Sequence, residues 1–223
     1  MVDRDAGTIR VVTGVDQLIR DDERLLFAVG VFDGLHRGHR YLLTRLRSNA
    51  ARLGARPAVI TFDAHPDAVI VGQAPPLLVD PDERLARLAQ AGIAVTVVQH
   101  FDETLRQTTY QTFVRAIADR THLAGFVMTP DAAFGRERQG TPEALALLGR
   151  SMGFTVVVVP PYELDGAAVR SERIREMIRA GDLERAARLL GRRHAVLGVV
   201  RPDGILRPAM PMALPPDGTY DAR

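Results

Sequence analysis

Runs of apolar, β-branched residues alternate along this chain with stretches whose apolar positions recur at helical spacing. The runs Leu25–Val31, Ala58–Phe62, Val95–His100, Gly125–Thr129 and Thr155–Pro160 read as buried strands. Between them Tyr41–Leu53, Pro81–Ala91, Tyr110–Arg120 and Thr141–Met152 carry the amphipathic pattern of helices. Two more helices, Ser171–Ala180 and Asp182–Leu190, are separated by Gly181-Asp182, a break followed by an N-cap. From Ala195 the pattern changes to one short strand, Val-Leu-Gly-Val-Val-Arg, and then a tail with five prolines between Pro202 and Pro216. Strand-helix alternation predicts an α/β chain with a parallel sheet covered by helices on both faces. In such sheets ligands bind beyond the carboxyl ends of the strands, where the strand order reverses.

One segment at such a strand end carries chemistry. Residues 29–40 read Val-Gly-Val-Phe-Asp-Gly-Leu-His-Arg-Gly-His-Arg, between the strand Leu25–Val31 and the helix Tyr41–Leu53. His36 and His39 stand on either side of Gly38, where the helix begins. Free N–H groups and the positive helix end make this an anion site, and imidazoles there donate further hydrogen bonds to a phosphate gaining charge. A zinc site is a poorer reading, because zinc favours histidines at i and i+4 with a third ligand and the chain has no cysteine.

Composition narrows the setting. At 223 residues the chain can bury one good core plus a small appendage. No run reaches the ~18–20 apolar residues of a membrane span, and Met1–Arg10 is charged and lacks the apolar region of a signal peptide. Zero cysteines fit a cytoplasmic protein. All 29 basic residues are arginine, interleaved with Asp and Glu to a net charge of only +2. With aromatics at 5% there is no basic, aromatic stripe of the kind nucleic acids need, so no nucleic-acid or membrane partner is expected.

His-x-Gly-His after a strand resembles the signature of the nucleotidyltransferase superfamily, and three further stretches narrow the branch. Thr61-Phe62-Asp63-Ala64-His65-Pro66 ends the second strand, Phe134-Gly135-Arg136-Glu137-Arg138-Gln139-Gly140 follows the fourth, and Val169-Arg170-Ser171-Glu172-Arg173-Ile174-Arg175 opens a late helix. Over roughly residues 8–192 the four motifs, in order, resemble the adenylyltransferase module of bacterial FAD synthetases. The resemblance implies a Rossmann-like nucleotidyltransferase fold over residues 1–193. It also implies transfer of AMP from ATP, with Mg2+, to the phosphate of FMN, giving FAD and pyrophosphate. Carried over to this chain, His36, His39 and Arg175 would be catalytic, Arg175 with Ser171 holding the leaving pyrophosphate. Gly30, Phe32, Asp33, Gly34, Gly38, Ser171 and Arg173 would bind the nucleotide. Phe62, His65, Pro66, Asp131, Phe134, Gly135 and Arg136 would bind the acceptor.

The chain departs from that family at three places. Arg170 and Glu172 stand in the stretch usually written Ser-Ser-Thr-x-Ile-Arg, and Thr129-Pro130-Asp131-Ala132 stands for Gly-x-Asp-Phe. About thirty residues, 194–223, occupy the place of a riboflavin kinase barrel, and Pro211-Met212-Ala213-Leu214 stands where its Pro-Thr-Ala-Asn motif belongs. Thirty residues cannot close a barrel, so kinase activity is expected to be absent and the remnant to pack on the first domain or on another subunit. The departures leave two alternatives: a different nucleotide or phosphorylated acceptor, or a non-catalytic flavin- or nucleotide-binding protein.

Overall fold

A computed structural model describes residues 10–20, 23–202 and 205–220. Residues 1–9, most of the charged N-terminal stretch read above, lie outside them. Six parallel strands form one sheet: β1 (Arg10–Thr13), β2 (Arg24–Val29), β3 (Arg56–Phe62), β4 (Val95–Gln99), β5 (His122–Met128) and β6 (Thr155–Val158). The strand order is β1-β4-β3-β2-β5-β6. From β2 the chain winds outward through β3 to β4 and then returns to lay β5 on the other side of β2. The order therefore reverses between β2 and β5, and the histidine turn leaves the carboxyl end of β2. The edge strand β1 was not anticipated.

The helices are α1 (Arg37–Arg52), α2 (Asp67–Ile70), α3 (Pro81–Gln90), α4 (Glu103–Gln107), α5 (Tyr110–Ala118), α6 (Pro142–Met152), α7 (Ser171–Arg179) and α8 (Leu183–Leu190). Local chemistry sets most of their starts. Asp80, Asp102, Thr109, Thr141 and Asp182 each accept a backbone N–H of the helix they precede, and Pro81 and Pro142 occupy first-turn positions that need no N–H.

Alternation along the strands divides the core in two. Leu25 and Phe27 of β2, with Ala58, Ile60, Val95 and Val97, pack under α5 and α6 through Phe113, Ile117 and Leu145. Leu26 and Ala28, with Val59, meet Leu43, Leu46 and Ala50 of α1 and Leu88 of α3. Such residues recur on one stripe of each helix, so burying that stripe holds helix and sheet together at about 25 cal/mol per Å² of apolar surface. β5 is special at Gly125, whose φ is +144° and where a Cβ would lie 1.8 Å from the carbonyl oxygen of Thr155. Only glycine lets β6 pair that closely.

A third apolar cluster joins α7 and α8 to Leu78 and to the C-terminal segment. Leu77 donates to Pro211 O and accepts from Ala213 N, at 2.9 and 2.8 Å, and Met212 and Ala213 are buried. Residues 211–213 thus run beside Leu77, and Ala213 packs in the cluster of α7 and α8. The late strand is observed as β9 (Gly198–Val200), which is exposed and pairs antiparallel with β10 (Leu206–Pro208); a short hairpin of two-residue strands, β7 (Glu163–Leu164) and β8 (Ala167–Ala168), precedes α7. No helix among the described residues is long and apolar enough to cross a membrane.

Candidate active site

Beyond the carboxyl ends of β2 and β5 lies a cavity of about 890 Å³. Its floor is the turn that links β2 to α1. Phe32 and Leu35 adopt positive φ (53° and 38°), which L-residues hold at a cost of order 1 kcal/mol each unless their surroundings enforce it. Several side chains enforce it here. The Val31 carbonyl accepts from the Thr61 hydroxyl (3.0 Å) and from buried Arg84 (3.2 Å), whose other nitrogen binds Phe62 O at 2.7 Å. Ser171 Oγ donates to Asp33 O at 2.9 Å, and Arg192 donates to Gly34 O at 2.7 Å.

Asp33 points away from the cavity wall. Its carboxylate accepts Leu78 N at 2.9 Å, Val79 N at 3.2 Å and the Arg175 guanidinium at 2.5 Å. Arg175 also donates through Nε to Pro76 O at 2.7 Å, and the pair is only 8% and 2% exposed. The sequence reading put Arg175 on a phosphate; the structure commits its guanidinium to Asp33 and Pro76, where it clamps the turn onto α7 and the strap around Leu78.

His36 caps α1. Its Nδ1 accepts from His39 N at 3.2 Å, so the neutral ring carries its proton on Nε2. The His39 ring stacks on it at 3.7 Å, nearly parallel, and both line the cavity. Burial pushes His39 down to about 3. Burial first, then the neighbouring His39, Arg192 and Arg175, holds His36 well below the ordinary imidazole range. At neutral pH both imidazoles are therefore uncharged, and an arriving anion favours protonating them. Gly38 lets the helix start approach β8–α7 closely: a Cβ there would sit 2.8 Å from Val169 O.

Much of the remaining wall is aromatic. Phe62 meets Phe101 edge-on at 5.4 Å, and Phe134 meets Phe113 edge-on at 5.8 Å. His100 and Asp63 bind at 2.5 Å, and Asp63 also accepts Phe101 N at 3.2 Å, which ties the two loops bearing Phe62 and Phe101 together. The predicted residues Gly30, Phe32, His36, Gly38, His39, Phe62, Pro66, Asp131, Phe134, Gly135, Arg136 and Ser171 all lie in the cavity wall. Asp33, Gly34, His65, Arg173 and Arg175 do not. His65 Nδ1 accepts from Asp67 N at 3.2 Å, beside the start of the short helix α2. Arg84 and Arg192 were missed. Arg84 left one trace in the sequence, a charge four residues before Leu88 on the apolar stripe of α3.

The family profile of FAD synthetase matches residues 18–173. The chain belongs to the FAD synthetase family. Among its relatives is the bifunctional riboflavin kinase/FMN adenylyltransferase of Pseudomonas fluorescens, 31% identical over 193 residues, which are 86% of this chain and 62% of that protein. The protein of the same name from Haemophilus influenzae is 28% identical over 194 residues, 86% of this chain and 63% of its own length. The chain thus spans about three-fifths of these FAD synthetase relatives. Among solved structures, a macrolide-efflux protein from Streptococcus pneumoniae superposes with a TM-score of 0.83 at 24% identity, over 95% of this chain and 82% of its own. Pantoate-beta-alanine ligase from Francisella tularensis does so with a TM-score of 0.50 at 12% identity, over 82% and 78%. These two likenesses speak for the α/β fold alone.

Proposed function

We propose that the chain transfers AMP from ATP to the phosphate of FMN, forming FAD and pyrophosphate. One observation carries this reading: a single cavity is lined both by a two-histidine helix start and by the edge-on phenylalanine pairs Phe62–Phe101 and Phe113–Phe134. The first suits a nucleotide phosphate and the second a flat aromatic ring. Membership of the FAD synthetase family supports the pairing.

An oxygen of the acceptor phosphate attacks the α-phosphorus in line, and the bond to pyrophosphate breaks on the opposite side. The acceptor phosphate is already an anion at neutral pH, so the chemistry needs alignment and charge stabilisation more than a general base. His36 donates from Nε2 to the phosphate oxygens as their charge grows, with the stacked His39 beside it. The backbone N–H groups at the start of α7 receive the polyphosphate while the Ser171 hydroxyl holds the turn through Asp33 O, and Arg175 acts as a positioning residue through Asp33. Among the described residues no three carboxylates or histidines gather as a cation cage. Mg2+ entering with ATP would take its ligands from phosphate oxygens and water.

No riboflavin kinase step is ascribed to residues 194–223, whose described part forms a ribbon and a strap and no closed barrel. The cysteine-free sequence supports a cytoplasmic setting. Ala132, a methyl group in the acceptor wall, favours one second reading, the same chemistry on another phosphorylated acceptor.

Incubation with Mg2+, FMN and, separately, ATP, CTP or GTP tests the proposal, with products identified by mass spectrometry. FAD from ATP alone is expected. Absence of FAD while ATP still binds would overturn FMN as the acceptor.

A further inference from the structure

The cavity rim holds an ion pair that the chemistry above does not use. Arg170 Nη2 lies 2.7 Å from Asp131 Oδ2, and the two side chains are 59% and 48% exposed. Both residues line the cavity. Arg170 precedes the first turn of α7 and gives that helix no side-chain cap, where serine would contribute about 1 kcal/mol.

The position of Arg170 is fixed from both sides. Its neighbour Ser171 is bonded to the histidine turn through Asp33 O. Asp131 belongs to the loop after β5 that carries Phe134 and Arg136, and its carbonyl is held by Arg138 at 3.0 Å. Arg170 therefore stands where the aromatic-wall loop meets the histidine turn. A phosphorylated acceptor that spans the phenylalanines and a nucleotide on His36 bridges the same two elements that Arg170 joins. A half-exposed ion pair is worth about 0–1 kcal/mol, so a phosphate displaces Asp131 at little cost. The guanidinium fork binds a phosphate in bidentate fashion.

We infer that Arg170 is a specificity-determining residue, whose guanidinium leaves Asp131 and takes the phosphate of the acceptor. The site thereby prefers a phosphorylated flavin to the same ring without phosphate. This inference rests on FMN as the acceptor.

The test titrates FMN and riboflavin, which share a chromophore, into the full chain by flavin fluorescence, using wild type, Arg170→Ser and Arg170→Lys. Arg170→Ser is expected to weaken FMN about tenfold and riboflavin by less than about twofold. Its melting temperature should not fall, because serine restores the missing cap. Arg170→Lys should lie between, as a charge without the fork. In turnover the KM for FMN should rise while the KM for ATP stays. Equal loss for both flavins, no loss for either, or a rise in the KM for ATP alone would overturn the inference. A wild type that binds neither flavin would overturn it together with the acceptor reading. A wild type that makes FAD, with Arg170→Ser indistinguishable from it, would overturn this inference alone.

Discussion

Replacing Arg175 by methionine distinguishes a clamp from a phosphate ligand. In the structure its guanidinium binds the Asp33 carboxylate and Pro76 O, both out of solvent. Removing one partner of a buried pair costs roughly 3–5 kcal/mol, because the other charge is left uncompensated. Leu78 N and Val79 N remain on Asp33, which puts the expected loss near the lower end, about 3 kcal/mol. For a chain of this size that is a fall in melting temperature of roughly 6–12 °C. The double variant Arg175→Met with Asp33→Asn removes both charges and should be less destabilised than the two single losses summed, by about 1.5 kcal/mol or more. Urea unfolding at pH 7.5 without substrate measures all three variants, and initial rates of FAD formation accompany them. An Arg175→Met protein with an unchanged urea midpoint and lost turnover would refute the clamp and return the guanidinium to the phosphates.

Three other outcomes follow from the same geometry. His36 and His39 titrate below the ordinary imidazole value of 6.5 in the folded chain, so unfolding takes up protons in the window beneath it. Their contribution to stability is complete above pH 6.5 and is lost as pH falls towards about 3, with a slope near 1.4 kcal/mol per pH unit for each histidine. Urea midpoints from pH 7.5 to pH 5 should show it, and His39→Gln should flatten the curve. Gly125→Ala would drive a methyl into Thr155 O and should cost more than about 4 kcal/mol, read as loss of the soluble, cooperatively melting protein. Ala213→Asp would bury a carboxylate among Leu78, Ile174 and Leu190. It should lower stability by roughly 2–4 kcal/mol and slow turnover through the Leu78–Asp33 contact; equal melting temperatures would show that the C-terminal strap does not brace the site.

The central strands, the main helices and the histidine turn were legible because each is written in consecutive residues. Apolar runs mark β2 to β6, helical spacing marks α1, α3 and α5 to α8, and Asp or Thr before a helix marks most starts. β1 was not legible. It has four residues, alternates half-buried with exposed positions, and gains its place only by pairing with β4, some eighty residues away. At the site, the sequence supplied the residue types and the wall, from Gly30 to Ser171. It does not reveal the Asp33–Arg175 contact, because Asp33 is 142 residues away and only the packing of α7 under the turn brings the two together. Arg84 on the backbone of Val31 and Phe62, and the Pro211–Ala213 strap on Leu77, were hidden for the same reason. Local pattern determines which segments become strands and helices, since it depends on neighbours three or four residues apart. Which buried charge meets which partner is decided by contacts between distant segments that exist only once the chain has folded.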